Sequence, residues 1–304
     1  MKTAIVGSGA MGQLFGARLL WAGEDVVFVD TNPTTLHALN ERGITLTTDQ
    51  GRQHTPATAA PASELEGAFD LIIIFTKGFH TRAAVKSVAH LIGPDSVGLT
   101  LQNGLGNAEV LQEYFTQDRT LLGMTDFPAD MPEPGTITSA SKGKVLLGGL
   151  TEGAVAQTVA TVLDRAGLNA FAASDIRIPV WEKVAFNAAL NTISAVTGLT
   201  VGQIGDEPHA RGLAAAVLDE TMAVAAAQDI SLSRERVETT LSEAFAHHTH
   251  HKTSMLMDRE AHRRTEVESI GGAVVDLGTR SGVATPVLNT LCELVRALEP
   301  SPTE

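Results

Sequence analysis

Three glycines, Gly7, Gly9 and Gly12, follow a short β-branched run (KTAIV, 2–6) and lead into a stretch with helical patterning over about 13–23, ended by Gly23. A strand, a G-x-G-x-x-G turn and a helix in that order leave few folds open. The first glycine permits the tight turn and the second lets backbone approach a diphosphate. The third lets helix and strand pack closely. The N–H groups of Gly7, Ser8, Gly9, Ala10, Met11 and Gly12 then surround a helix N-terminus, where unpaired donors and the helix dipole favour an anion. The same spacing in a chain that binds nothing would be a plain glycine-rich turn.

Residues 25–30 (DVVFVD) form a second apolar run that ends on Asp30, eighteen residues beyond Gly12. A carboxylate at the end of the second strand can accept from the adenosine ribose hydroxyls of NAD and repels a 2′-phosphate. After Asp30 no Arg or Lys occurs before Arg42. The pattern therefore favours NAD(H) over NADP(H), against the plainer alternative of a solvated loop acid.

The alternation continues. Residues 33–42 and 80–92 carry helical patterning, and 70–76 (DLIIIFT) is an unbroken apolar run of the kind buried on both faces of a parallel sheet. Residues 96–101 (SVGLTL) read as a strand running into Gln102-Asn103-Gly104. Repeated βα units predict an α/β, doubly wound Rossmann sheet. Between about 125 and 150, prolines and glycines punctuate two short segments, ITSAS and KVLLGG, which are expected as an antiparallel extension of the sheet edge. A helix near 153–166 and a strand near 168–173 close this domain. Helical patterning then fills 179–197, 208–229, 233–246, 254–280 and 286–298, so the domains are expected at 1–173 and 174–304, the second all-α.

One helix carries an unusual stripe. In WEKVAFNAALNTI (181–193), Lys183, Asn187 and Asn191 recur every four residues, on one narrow ridge of an otherwise apolar helix. A buried ammonium with two amides needs partners, and a polar ligand is the simplest. Reduction of a ketone develops negative charge on oxygen, which a nearby ammonium can stabilise and protonate. The structural alternative is a lysine paired with an acid at the core edge and two amides capping a neighbouring helix. Ser254, Asp258, His262 and Glu266 also advance by four, on the helix expected over 254–280. Glu266 could pair with Lys183, and Ser254 could donate to a carboxylate; a solvated helix face explains that spacing equally well.

A formal net charge of −13 argues against a nucleic-acid surface, which would need clustered Lys and Arg. Cys292 is the only cysteine, which precludes an intramolecular disulfide and suits a reducing cytoplasm. The opening residues lack the features of a signal peptide, and no apolar run approaches the ~20 residues that span a bilayer. The histidines at 247, 248, 250 and 251 have spacings compatible with zinc on a helix, yet no accompanying acid or cysteine motif, so no metal is expected.

Five segments in order, GSGAMGQLFG (7–16), Lys77 behind DLIIIFT, LQNGLGN (101–107), WEKVAFNAALNTISAVTG (181–198) and HKTSMLMDREAHRRTE (251–266), resemble the ketopantoate reductase (2-dehydropantoate 2-reductase) family. The resemblance spans nearly the whole chain. It implies a Rossmann domain followed by a helical domain like that of 6-phosphogluconate dehydrogenase, with a 2-oxoacid reduced between them. By position, Lys183 resembles the general acid and Glu266 the acid that pairs with lysine and substrate. Asn187, Asn191 and Ser254 resemble substrate-holding residues, Asn103 an amide near nicotinamide and substrate, and Lys77 a cofactor-side lysine. The resemblance also makes a homodimer through the helical domain possible; the Ala-rich run 213–227 could be interface or core. Two departures stand out. Asp30-Thr31-Asn32 occupies the place where many members carry an NADPH-binding arginine, and His251-Lys252-Thr253 precedes Ser254 where some carry a substrate-binding asparagine.

A methyltransferase could also use a glycine turn followed by an acid, although the lysine–asparagine helix has no task there. A non-catalytic dinucleotide sensor with a partner-binding helical domain is the alternative from a different class.

Overall fold

The first strands and helices alternate as β1 (Lys2–Val6), α1 (Ala10–Trp21), β2 (Asp25–Val29) and α2 (Pro33–Arg42) in the computed structural model, which describes residues 1–151, 153, 155–247 and 249–300. Then come β3 (Ile44–Thr48), β4 (Gly51–Thr55), β5 (Thr58–Ala60), β6 (Phe69–Ile74), α3 (Thr81–Ser87), β7 (Ile92–Thr100) and α4 (Asn107–Leu111). The series closes with β8 (Thr120–Thr125), β9 (Ala129–Glu133), β10 (Thr136–Ser139), β11 (Val145–Gly149), α5 (Val155–Leu163) and β12 (Ala170–Ala172).

Eight strands form one sheet in the order β12-β11-β8-β7-β6-β1-β2-β5. From β5 to β8 every pairing is parallel, which gives the doubly wound order with its reversal between β1 and β6. The unbroken apolar runs have their cause in this burial. Ile5, Leu71 and Ile73 point to one face, against Leu14, Phe15 and Leu19 of α1, while Ala4, Ile72 and Ile74 point to the other, against Val85 and Leu91. At the far edge β11 runs antiparallel to β8, as expected for KVLLGG.

The ITSAS segment behaves otherwise. It supplies β10, which belongs to a separate four-stranded sheet, β4-β3-β10-β9, rather than to the edge of the large one. Half of that small sheet is the β3–β4 hairpin, whose turn closes at Gly51 with φ of 126°, and nothing in the hydrophobic pattern of 44–55 announces it. Its strands are rich in Thr and polar residues, and β4 is exposed from Gly51 to His54.

Contact density divides the chain into two units: residues 1–102 with 107–176, and residues 103–106 with those from Arg177 onward. The second unit contains α6 (Arg177–Thr197), α7 (Val201–Asp206), α8 (Pro208–Ala226), α9 (Arg234–His247), α10 (Ser254–Glu260), α11 (Ala273–Ser281) and α12 (Pro286–Leu298). Helix α6 is its axis, packed against α8, α10 and α12. Small side chains allow this close approach: Ala185, Ala188 and Ala189 of α6 meet a core with Val217 and Leu218 of α8 and Leu288 and Val295 of α12. The Ala-rich segment of α8 is two-faced: Ala214, Val217, Leu218 and Val224 are buried in this core, while Leu213, Ala215, Ala223 and Ala226 are exposed.

No single helix spans 254–280. Helix α10 stops at Glu260, and the Arg263 N–H folds back to the Asp258 carbonyl at 2.8 Å with His262 in the left-handed region (φ 51°). An irregular stretch leads to a π-helical turn, Glu268–Gly272, before α11 begins. Helix α12 sets the spacing here: a Cβ at Gly271 would lie 2.6 Å from Cys292 Sγ. The four-residue spacing from Ser254 to Glu266 therefore does not describe one helix face.

Candidate active site

The fingerprint glycines have three different surroundings. Gly7 has φ of 97°, and a Cβ there would lie 2.7 Å from the Thr76 backbone nitrogen. At Gly12 a Cβ would lie 2.1 Å from the Gly7 carbonyl oxygen, so this glycine permits helix and strand to touch. Gly9 is open: nothing lies within 4 Å of where its Cβ would be. It caps α1 without any side-chain hydrogen bond, so the first-turn N–H donors have no side-chain acceptor of that kind. Beside it Ser8 is buried, and its Oγ has no hydrogen-bond partner. An open glycine, an uncapped helix start and an orphaned hydroxyl fit a diphosphate.

Asp30 is fixed by backbone donors. Its Oδ2 accepts from Ser8 N at 2.7 Å, and its Oδ1 from Thr31 N at 2.8 Å and Asn32 N at 2.9 Å. The next position is committed as well, since Asn32 Oδ1 caps α2 by accepting from Thr34 N and Thr35 N. The dinucleotide turn and the end of β2 are in this way one hydrogen-bonded assembly. Gln13 braces it from behind, donating to the Ser8 carbonyl at 2.7 Å and accepting from Gly135 N at 2.9 Å.

Across the reversal point, β6 is followed by Phe75, Thr76 and the half-buried Lys77, which caps a single 3₁₀ turn, Gly78–His80. A buried polar network that sequence reasoning missed holds this corner. Gln102 Nε2 donates to the Thr76 carbonyl at 2.6 Å and to Thr81 Oγ1 at 2.9 Å, and Thr81 Oγ1 donates to Asn107 Oδ1 at 2.9 Å. The signal was present as Gln102 and Asn107 flanking the 103–106 loop, but only the fold shows that Thr81 joins them. Asn103 begins that loop, which belongs to the second unit. There Leu105 N donates to the Ser269 carbonyl at 2.7 Å, and Gly104, with φ of 88°, lies so close to Ser269 that no side chain fits.

On α6 the polar ridge sinks along the helix: Lys183 and Asn187 are half-buried, and Asn191 is 5% exposed. The residue beside Lys183 is anchored from outside, because Arg236 of α9 donates twice to Glu182 Oε1, at 2.8 and 2.6 Å. Helix α6 packs against α10, which carries exposed Ser254 in its first turn, and against the π turn that follows Glu266. Glu266 is 8% exposed. Its neighbour Thr265 is held by Glu299, whose Oε1 accepts from Thr265 N at 2.8 Å and from Thr265 Oγ1 at 2.5 Å. One carboxylate near the chain end thus fixes the backbone next to Glu266, a constraint with no sequence signature. The structure places Lys183, Asn187, Asn191, Ser254, Glu266 and Asn103 in one unit, and the glycine turn, Asp30 and Lys77 in the other.

Of the histidine group, His247 ends α9 and His250 and His251 follow in the turn, while His248 lies outside the described residues. This turn is bound to the start of α7: Val201 N donates to the His251 carbonyl at 3.0 Å, and Thr200 Oγ1 to the Thr249 carbonyl at 2.7 Å. Among the described residues no three His, Cys, Asp or Glu side chains come together as metal ligands. No helix among them is long and apolar enough to cross a membrane.

Strand order, glycine turn and strand-end acid define a Rossmann-type dinucleotide-binding protein with a helical second unit. Residues 3–152 match the family model Ketopantoate reductase PanE/ApbA, and residues 175–299 match its companion, Ketopantoate reductase PanE/ApbA C terminal. A 2-dehydropantoate 2-reductase from Archaeoglobus fulgidus is 34% identical over 301 residues, 98% of each chain. The structure of D-mandelate dehydrogenase with NADH and anilino(oxo)acetate superposes with a TM-score of 0.93 at 29% identity, covering 98% of each chain. That of 2-dehydropantoate 2-reductase from Geobacter metallireducens gives 0.91 at 28% identity, covering 98% of this chain and 99% of the other. The chain belongs to the ketopantoate reductase family. It is an oxidoreductase with Rossmann-type NAD(P) binding.

Proposed function

We propose that the chain reduces a 2-oxoacid, ketopantoate or a related branched 2-oxoacid, to the 2-hydroxyacid, with NADH preferred over NADPH. The observation that carries the reading is the ridge of Lys183, Asn187 and Asn191 on an otherwise apolar helix, in a chain of this family. When bound, the reduced nicotinamide supplies the hydride for C2 of the substrate. Gly7 to Gly12 hold its diphosphate, Asp30 takes the adenosine ribose, and Lys77 and Asn103 lie on the nicotinamide side.

The rest is the work of this chain's own side chains. Lys183 is the general acid: its ammonium stabilises the negative charge developing on the keto oxygen and gives it a proton. Asn187, Asn191 and Ser254 orient the substrate by hydrogen bonds, and Glu266 pairs with Lys183 and the substrate. The first unit is assigned to the cofactor and the second to the substrate, with 1–173 and 174–304 as the functional domains. NADH preference is supported by Asp30, a carboxylate at the end of β2 that no basic residue follows before Arg42.

A second reading has its own support. The structural neighbour named above is a D-mandelate dehydrogenase solved with an aryl-bearing oxoacetate derivative, so an aryl 2-oxoacid is the alternative substrate class. We also propose a homodimer, supported by Leu294 and Leu298, four residues apart on α12 and both exposed. The lone, buried Cys292 is in keeping with a reducing cytoplasm.

The deciding experiment follows NADH and NADPH oxidation against ketopantoate, straight and branched 2-oxoacids, and benzoylformate. Saturable turnover of ketopantoate supports the first reading, and turnover of benzoylformate alone supports the second. Tight nucleotide binding without turnover of any would overturn both and leave a dinucleotide sensor.

A further inference from the structure

The first unit contains a cavity of about 460 Å³ walled by the last turn of α1, the β3–β4 hairpin and the π-helical turn after α5. None of the fingerprint or strand-end residues lines it. Three arginines do: Arg18, Arg52 and Arg165.

These three stand apart from the arginines that pair with acids. In a protein with 35 acidic residues against 22 basic ones, Arg42, Arg82, Arg119, Arg234, Arg236 and Arg296 each sit against a carboxylate. Arg18, Arg52 and Arg165 form no ion pair among the described residues. Arg18 is held in place without being neutralised. Its Nη1 donates to the Gly167 carbonyl at 2.7 Å, its guanidinium lies 5.0 Å from the centre of the Phe127 ring, and its Nε is buried with no hydrogen-bond partner. Burial lowers its pKa, the direction expected when desolvation opposes a cation that lacks a counter-charge. Arg52 and Arg165 are exposed at the mouth. Among the described residues no acid lines the cavity, and Asp49, in the β3–β4 turn, spends one oxygen on Ser141 N at 2.7 Å.

Three guanidiniums without a carboxylate suit an oxyanion with more than one negative charge, since each presents a planar fork of donors. The rest of the wall combines polar Thr48, Gln50, Gln53 and Ser141 with an apolar side made of Trp21, Leu46 and Ala166, and the volume is in the range of small-molecule sites. We propose that this cavity binds a small organic phosphate, a phosphate monoester with a flat apolar group. The phosphate lies among Arg18, Arg52 and Arg165, and the organic part lies against Trp21.

The test is calorimetric titration of the whole chain with phenyl phosphate. Saturating NADH is present, so that the glycine turn is filled. Saturable binding is expected, weakened at least tenfold in an Arg52→Ala/Arg165→Ala double variant whose melting temperature is unchanged. Both arginines are exposed, so the variant keeps its core. Arg18 is left alone because its hydrogen bond to Gly167 is structural. Absence of saturable heat, equal affinity in the double variant, or equally tight binding of uncharged benzyl alcohol would each overturn the proposal.

Discussion

The Asp30 carboxylate accepts the backbone N–H of Ser8 at 2.7 Å, across 22 residues of sequence, and so joins the end of the second strand to the glycine turn. The residue expected to choose the cofactor therefore also holds the cofactor loop. Asp30→Ala is expected to do two things. It shifts the ratio of kcat/KM values toward NADPH, and it lowers the melting temperature, because hydrogen bonds to a charged acceptor are worth about 1.5–3 kcal/mol each. Both are read from the same preparation, by steady-state rates with each cofactor and by thermal unfolding. An unchanged cofactor ratio would remove Asp30 from the specificity argument.

Gly9 and Gly12 make a matched pair of tests. Gly9 has φ of −74° and open space where a Cβ would stand, so Gly9→Ala folds normally and weakens NADH binding by intruding on the diphosphate. Gly12→Ala puts a Cβ 2.1 Å from a backbone oxygen, which has no room to yield. It is expected to cost about 1–3 kcal/mol or more of stability. Denaturant midpoints and NADH titrations of both variants separate the two roles; equal destabilisation by both would contradict them.

Lys183→Ala is expected to lower kcat by ~10²–10⁴, the usual worth of a positioned general acid, and to leave the NADH dissociation constant nearly unchanged. Lys183→Arg keeps the charge but, with a far higher pKa, is a poor proton donor and stays slow. Single-turnover rates with 2-oxoacid check both. Activity near the parent level in Lys183→Ala would refute the assigned mechanism.

Arg296 of α12 clasps Glu268 of the π turn with two bonds, Nε to Oε1 at 2.8 Å and Nη2 to Oε2 at 2.7 Å. The guanidinium holds the Glu268 carboxyl below its ordinary range, mainly through these hydrogen bonds. A depressed folded-state pKa stabilises the fold above the unfolded value, about 4.3, and that contribution fades as pH falls through the folded value. Half of the Glu268 side chain is exposed, so solvent screening keeps the stabilisation small, about 0.2–1 kcal/mol. Glu268→Gln should show that deficit in urea midpoints at neutral pH and lose it in strong acid. A deficit that persists in acid would assign it to packing instead of charge.

Local pattern made much of this protein legible. The apolar runs at β1 and β6, the three glycines and Asp30 announced the parallel sheet and its loop, because burial on both faces and a turn with positive φ each restrict residue type at short range. The four-residue recurrence of Lys183, Asn187 and Asn191 was equally readable, since α6 is one unbroken helix. The same reasoning failed from Ser254 to Glu266, where the chain breaks after Glu260. Helical spacing is a local quantity, and the break follows from long-range packing: Cys292 against Gly271, and Glu299 on Thr265.

Sequence by itself determined the class of fold, the dinucleotide turn and the polar ridge, through constraints that act within a few residues. Tertiary structure alone decided the second small sheet, the membership of 103–106 in the helical unit, the Gln102–Thr81–Asn107 network and the gathering of Arg18, Arg52 and Arg165 around one cavity. Each of these joins residues distant in the chain whose types carry no mutual signature, so their meeting depends on strand register and helix packing and on no local preference.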